Sequence, residues 1–328
     1  MSEANVIPME ARRPEAARCK ARTRDGKPCA NRARESGYCA RHEPAAADEG
    51  GSSVERRLQD TLAFLRRRMT GAYPTDDFGF DADLTETALI PALRPLYERW
   101  WRVETRGIRN VPTTGGALLA ANHSGVLPWD GLMMKVALHD ELGVALRILA
   151  GEVPFKIPFL GSLMRKSGDA LACEEDAVRM LGTEAVVGVF PEGYEGLGKP
   201  FRERYKLQRF GRVGFAEVAI KTGVPIVPVA VVGAEEIHPM LANLRPLARL
   251  LGLPYVPLTP TFPLLGPLGA VPLPTKWIIE FGEPIATASF TPDAALDPMF
   301  VYNLTDQVRE AVQQMVYRKL MSRRGVFA

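Results

Sequence analysis

From residue 103 onward, short apolar runs alternate with longer helical patterns, and no other feature limits the fold as strongly. The runs ALLAAN (117–122), VALRILA (144–150), VVGVF (186–190), VPIVPVAVV (224–232) and KWIIEF (276–281) read as strands. Helical patterns lie between them at 130–140, 158–167, 174–183 and 211–222, the last closed by Gly223 as a C-cap. Asp297-Pro298 opens a final helix as N-cap and first helical residue, running to about residue 324. Such alternation predicts an α/β fold with a mixed, largely parallel sheet flanked by helices, and an antiparallel strand at its edge. In sheets of this kind ligands bind at the carboxyl ends of the strands. His123 and Glu192 each follow a strand, so both belong to that rim.

Upstream the chain divides by composition. Residues 1–18 read as disordered, and EPAAADEGGSS (43–53) as a flexible linker. Residues 54–102 form a helical region of amphipathic helices. Val54, Leu58, Leu62, Leu65 and Met69 line one face of the first, and Pro91 and Pro95 disturb the first half of a second at 85–102. The net charge of +3 is unevenly placed: between Cys19 and His42 seven basic residues face two acidic ones, leaving the remainder slightly negative. No apolar stretch near the start has the form of a secretory signal, and no run reaches the roughly 18–20 apolar residues of a membrane span. The expected location is the cytoplasm. Three of the four cysteines fall between 19 and 42. With His42 they give the pattern Cys19, Cys29, Cys39, His42, whose soft ligands suit a structural zinc in a segment too short to bury a core.

The candidate chemistry begins at LLAANHSGVLPWDGLM (118–133), where a histidine ends a strand and an aspartate stands at the head of a helix. An imidazole within reach of an alcohol can take its proton, which is worth about 10²–10⁴ in rate. A carboxylate behind the ring fixes the tautomer and stabilises the imidazolium. Taken alone, Asp130 could equally be an N-cap and His123 a loop residue. No G-x-S-x-G elbow is present, and Cys173, before the acidic stretch EEDAVRML, reads as a packing or capping residue with a raised pKa.

Three further blocks follow in order: PFKIPFLGSLMRKSG (154–168), VVGVFPEGYEG (186–196) and KTGVPIVPVAVVGAEE (221–236). Together with Asn122-His123 and Asp130 they resemble the glycerolipid acyltransferase superfamily, of the lysophosphatidic-acid acyltransferase type. The resemblance covers about residues 100–290 and marks 103–328 as an acyltransferase domain. It implies transfer of a fatty acyl group from acyl-CoA or an acyl-carrier protein to a hydroxyl of a glycerolipid, without a covalent acyl-enzyme and without a cofactor for catalysis. His123 would be the general base and Asp130 its partner, with Asn122, Glu192 and Gly193 at the acceptor site. The sequence departs from the family pattern at three places. SGVLPW puts six residues between His123 and Asp130 where four are usual; Tyr194-Glu195-Gly196 replaces a Thr-Arg-Ser; and SGDALACEEDA lacks the usual acidic-arginine pair. These weaken the case for a phosphate-bearing acceptor and bring the chain closer to the diacylglycerol and monoacylglycerol acyltransferase-like branch, leaving diacylglycerol or a wax alcohol as alternatives.

A basic stretch, Lys199 to Arg212, is placed to meet phosphate, with Lys206 and Arg209 the leading candidates. The apolar, proline-rich segment 238–277, which carries Arg245 and Arg249, reads as a contact with a membrane surface, giving peripheral attachment on the inner face. A reading from another class makes the basic Cys/His piece a nucleic-acid-binding module beside a degenerate lipid-binding domain. Its scarcity of aromatics argues against it, and nucleic acid is not an expected partner.

Overall fold

The computed structural model describes residue 20 and residues 53–71, 73–124, 127–211 and 214–328. The proposed zinc ligands Cys19, Cys29, Cys39 and His42 lie outside the described residues, as do 1–18 and nearly all of the 43–53 linker. The strands are β1 (Glu104–Arg106), β2 (Ala117–Ala121), β3 (Leu146–Ala150), β4 (Asp169–Leu171), β5 (Val186–Val189), β6 (Ile226–Val232), β7 (Ala242–Asn243), β8 (Pro257–Leu258) and β9 (Ile278–Phe281). β7 and β8 pair by themselves; the rest form one seven-stranded sheet in the order β1-β9-β6-β2-β5-β3-β4. All neighbours in it are parallel except β6 and β9. The reversal is therefore not confined to an edge strand: β9 sits one place in from the edge, and β1 runs parallel to it.

β2 is flanked by β6 on one side and β5 on the other, paired Leu118 with Ile226 and Leu118 with Val187. The chain leaves β2 toward β3 and returns to place β6 across it, so the connections diverge at the carboxyl end of β2. A crevice opens at such a point. Alternate residues feed two cores. Leu118, Ala120, Val187, Val189 and Ala230 pack under the helices Glu174–Gly182, Gly214–Thr222 and Pro298–Ser322. Leu119, Ala121, Val229, Val231 and Ile279 pack with Met133, Met134, Trp101 and Trp277 on the opposite face. Each fully buried aliphatic side chain contributes up to about 1.5–3 kcal/mol, which fixes the register of the central strands.

The 85–102 region is continuous helix from Ala82 to Trp100, but two π-helical turns, Thr85–Leu89 and Leu96–Trp100, flank the stretch holding Pro91 and Pro95. Wider turns carry the backbone past residues that have no N–H to donate. Near the end of the preceding helix, Ser53–Thr70, two arginines turn toward the start of the next. Arg67 binds Asp83 at 2.8 Å and Arg68 pairs with buried Asp81, while Leu62, Leu65 and Met69 are exposed.

Candidate active site

β2 ends in a side chain that continues its ladder. Asn122 Nδ2 donates to the Val231 carbonyl at 3.0 Å, and its Oδ1 accepts the Val231 N–H at 2.7 Å. The side-chain amide thus stands in for another backbone pair with β6 and holds His123 at a defined height above the sheet. Asn122 is fully buried with both polar atoms occupied from inside the protein. Its visible bonds hold the end of β2 to β6.

His123 is held at two points. Its Nδ1 lies 2.8 Å from Asp130 Oδ2, and its backbone N–H donates to Glu192 Oε1 at 3.0 Å. The same Asp130 oxygen accepts the Ser124 N–H at 2.8 Å, and Oδ1 accepts the Gly131 N–H at 2.8 Å. A carboxylate that already accepts backbone hydrogen bonds accepts from Nδ1–H as well, which leaves Nε2 as the basic nitrogen. The ring stacks on Phe190 with centroids 4.3 Å apart. Asp130 lies in the first turn of Trp129–Leu142, whose N-cap position is Pro128, so it is not the cap of that helix. Three tryptophans brace this helix start: Trp101 stacks on Trp277 at 4.6 Å and meets Trp129 edge-on at 5.4 Å. A Cβ on Gly131 would lie 2.8 Å from Ile148 Cδ1, so glycine lets the helix sit this close to β3.

Glu192 follows β5, and the structure turns its carboxylate inward. Oε2 accepts the Gln208 N–H at 2.6 Å and lies 3.6 Å from Lys199 Nζ. With Oε1 on the His123 N–H, both carboxylate oxygens are engaged from inside the protein. Gly193 supplies the turn that makes this possible, at φ 55 and ψ −141, a conformation open essentially to glycine. Tyr194-Glu195-Gly196 begins a short helix, Tyr194–Leu197. A Cβ on Gly196 would lie 3.0 Å from both Cβ and O of His123. The absence of a side chain at Gly196 is thus what lets this turn pack against the histidine.

Behind Glu192 runs a buried charge relay that the sequence reading missed. Lys199 Nζ lies 3.2 Å from Glu235 Oε1 and donates to the Lys206 carbonyl at 3.0 Å. Glu235 Oε2 accepts the Tyr205 N–H at 3.0 Å. Burial raises the Glu235 carboxyl to about 7, with Lys199 opposing the rise and the charge of Glu192 adding to it. The phenol of Tyr255 is pushed up by burial first and then by the charge of Asp130, which places this residue of the 238–277 segment beside the site. The Cys173 thiol is likewise raised, by burial first, with Asp176 and Glu175 adding to it.

The side chains of Lys206 and Arg209 are exposed. Lys206 stands outside the site, its backbone carbonyl alone engaged with Lys199. Arg209 lines a separate cavity with Phe210, Gly211, Tyr302, Thr305, Asp306 and Arg309. Among the described residues no group of three or more His, Cys, Asp or Glu could hold a metal ion, and no helix is long and apolar enough to cross a membrane.

Comparison with known proteins places these features in a wider set. The family model described as Acyltransferase matches residues 102–232. An uncharacterized protein of Mycobacterium tuberculosis is 53% identical over 266 residues, covering 80% of this chain and 74% of its own. Another, from Mycobacterium leprae, is 51% identical over 278 residues, 84% of this chain and 76% of its own. The human protein named "DGAT1/2-independent enzyme synthesizing storage lipids" is 32% identical over 133 residues, 40% of each chain. Among solved structures, the 1-acyl-sn-glycerophosphate (LPA) acyltransferase PlsC of Thermotoga maritima superposes with a TM-score of 0.48 at 20% identity, over 83% of this chain and 99% of that one.

Proposed function

The chain belongs to the acyltransferase family, and from that premise we propose that it moves a fatty acyl group from a thioester donor to a lipid hydroxyl, with His123 as general base. The observation that carries this is the 2.8 Å contact between His123 Nδ1 and Asp130 Oδ2 at the carboxyl end of the central strand. Nε2 takes the proton of the acceptor alcohol as its oxygen attacks the thioester carbonyl. The tetrahedral intermediate collapses with loss of the thiolate, which recovers the proton from the imidazolium. Asp130 stabilises the charged ring through this cycle, and Glu192 keeps the backbone beneath it from shifting.

The acceptor we favour is a glycerolipid hydroxyl. A phosphate-free acceptor such as diacylglycerol is supported by Glu195, an exposed acid where the family pattern has the arginine. It is also supported by the name of the human relative, which refers to storage lipids. Either acceptor lives in a membrane. The exposed apolar residues Leu241, Leu250, Leu264 and Leu268 of the 238–277 segment, at 60%, 81%, 84% and 71% exposure, support seating on a lipid surface. So do the outward leucines of Ser53–Thr70.

The test is turnover of purified His123→Ala with labelled acyl-CoA and a panel of lipid acceptors, with products resolved by thin-layer chromatography. We expect a fall of about a hundredfold or more with an unchanged melting temperature. Near-normal turnover would remove His123 from the reaction, and absence of transfer by the wild-type protein to every acceptor would overturn the functional reading.

A further inference from the structure

Apart from the His123 centre, the protein carries a cavity of about 260 Å³ lined by Arg209, Phe210, Gly211, Tyr302, Thr305, Asp306 and Arg309. We propose that it is a phosphate-binding subsite serving the same reaction, and that it holds the phosphate end of the thioester donor. This rests on the acyl-transfer reading for its place in catalysis, but not for the binding itself.

Its walls come from two elements. Tyr302, Thr305, Asp306 and Arg309 follow one another at helical spacing along one stripe of Pro298–Ser322. Arg209, Phe210 and Gly211 cross that stripe as irregular chain. The crossing is pinned: the Leu207 N–H donates to Gln313 Oε1 at 2.8 Å, and Gln313 Nε2 donates to the Tyr205 carbonyl at 2.8 Å. The guanidinium groups of Arg209 and Arg309 therefore come to one cavity from separate, fixed pieces of backbone.

The charge there is not neutralised internally. Among the described residues no carboxylate pairs with Arg209. Arg309 has only a 3.8 Å contact with Asp306, on a side chain that is 45% exposed. Thr305 lies in the same wall, and its buried hydroxyl has no hydrogen-bond partner among the described residues. Two guanidiniums against one half-exposed carboxylate leave a net positive cavity of the size a phosphate or pyrophosphate group needs, and guanidinium forks match such oxygens.

The position links the cavity to the chemistry. Gln208, immediately before Arg209, gives its N–H to Glu192 Oε2 at 2.6 Å, and the other oxygen of Glu192 holds the His123 N–H. One carboxylate thus joins the wall of the cavity to the base. A thioester donor whose phosphates sat at Arg209 and Arg309 would be anchored beside the segment that leads to the reactive nitrogen. Lys206 stands outside this wall.

Isothermal titration of the full chain with coenzyme A, and separately with glycerol 3-phosphate, tests the assignment. The variants are Arg209→Gln/Arg309→Gln and, as a control for the loss of surface charge, Lys206→Gln. The expected result is coenzyme A binding that weakens tenfold or more in the double variant and is unchanged in Lys206→Gln. Glycerol 3-phosphate binding with the same variant dependence, in place of coenzyme A, would keep the subsite and assign the phosphate to the acceptor. No binding of either probe by the wild type, equal binding by a folded double variant, or equal loss in Lys206→Gln would overturn the proposal. Because binding is read without turnover, a failed transfer assay with intact coenzyme A binding would count against the functional reading and leave the subsite standing.

Discussion

Replacing Glu235 with glutamine should change how stability depends on pH, by an amount that follows from the carboxylate's surroundings. Glu235 is buried, with one oxygen on the Tyr205 N–H at 3.0 Å and the other 3.2 Å from Lys199 Nζ. Burial raises its carboxyl from the ordinary 4.5 to about 7 despite the lysine. The folded chain therefore holds this proton more tightly than the unfolded chain. Between about 4.5 and 7 the native state carries more of it, so stability falls as pH rises through that window. The whole gap corresponds to about 3 kcal/mol, of which about 2 kcal/mol falls between pH 5 and 7.5. Glutamine cannot titrate. Its amide resembles the neutral acid that prevails in the folded chain below about pH 7, with one carbonyl acceptor and one donor group.

Urea unfolding of both proteins at several pH values from 5 to 7.5 reads the difference directly. The stability of the wild type relative to the variant should fall by about 2 kcal/mol from pH 5 to pH 7.5. Asp140, held down to about 2 because its bonds to His139 and Arg94 outweigh its burial, titrates below this range and is common to both chains. Parallel stability curves, or an advantage that grows with pH, would refute the argument that burial outweighs the lysine at Glu235.

Two further outcomes concern the site and its approach. Gly196→Ala puts a methyl group 2.9 Å from Glu192 Cβ and 3.0 Å from His123 O; displacing the proposed base should lower kcat about tenfold to a hundredfold with little change in melting temperature, and an unaffected kcat would show that this packing does not position the ring. Leu250→Asp/Leu264→Asp changes side chains 81% and 84% exposed; sedimentation with anionic phospholipid vesicles should drop severalfold with turnover of a detergent-dispersed acceptor retained, and equal sedimentation would show that the 238–277 segment is not the lipid contact.

The central strands were legible because they are buried on both faces and read as unbroken apolar runs. β2 and β6 are buried along their whole length. The edge strands were not. Glu104–Arg106 is three residues, part-exposed and charged at both ends, and takes its conformation from pairing with Ile278 to Glu280. Asp169–Leu171 is equally short, and Asp169 is buried against Lys135, which meets it at 2.7 Å. Neither segment has a hydrophobic pattern of its own. The reversed direction of β9 was also invisible, since a run such as KWIIEF is equally compatible with either sense. The chain between Gly233 and Lys276 returns to place β9 antiparallel to β6, with Val232 opposite Ile278.

At the candidate site, sequence order brought the residues to one rim and could not orient them. His123, Asp130 and Glu192 lie at the ends of predicted elements, so their meeting at one rim follows from the α/β pattern. The direction of the Glu192 carboxylate is set by Lys199, Glu235 and the Gln208 N–H, partners reached only through tertiary packing.

The unusual spacing between His123 and Asp130 has a physical answer in the same bonds. A single oxygen, Asp130 Oδ2, accepts from both the His123 ring and the Ser124 N–H, at 2.8 Å each. The carboxylate therefore grips the chain at the foot of the loop as well as the ring above it. Once both ends are fixed to one group, extra residues between them add loop-closure entropy that grows only logarithmically with length. They do not alter the distance from Nδ1 to the acid. Glu192 fixes the neighbouring N–H of His123 from the opposite strand, so the ring is referenced to β2 and β5 and not to the intervening loop. Two carboxylates with separate tasks, one on the imidazole and one on the backbone, hold the His123 ring in place across a longer connection.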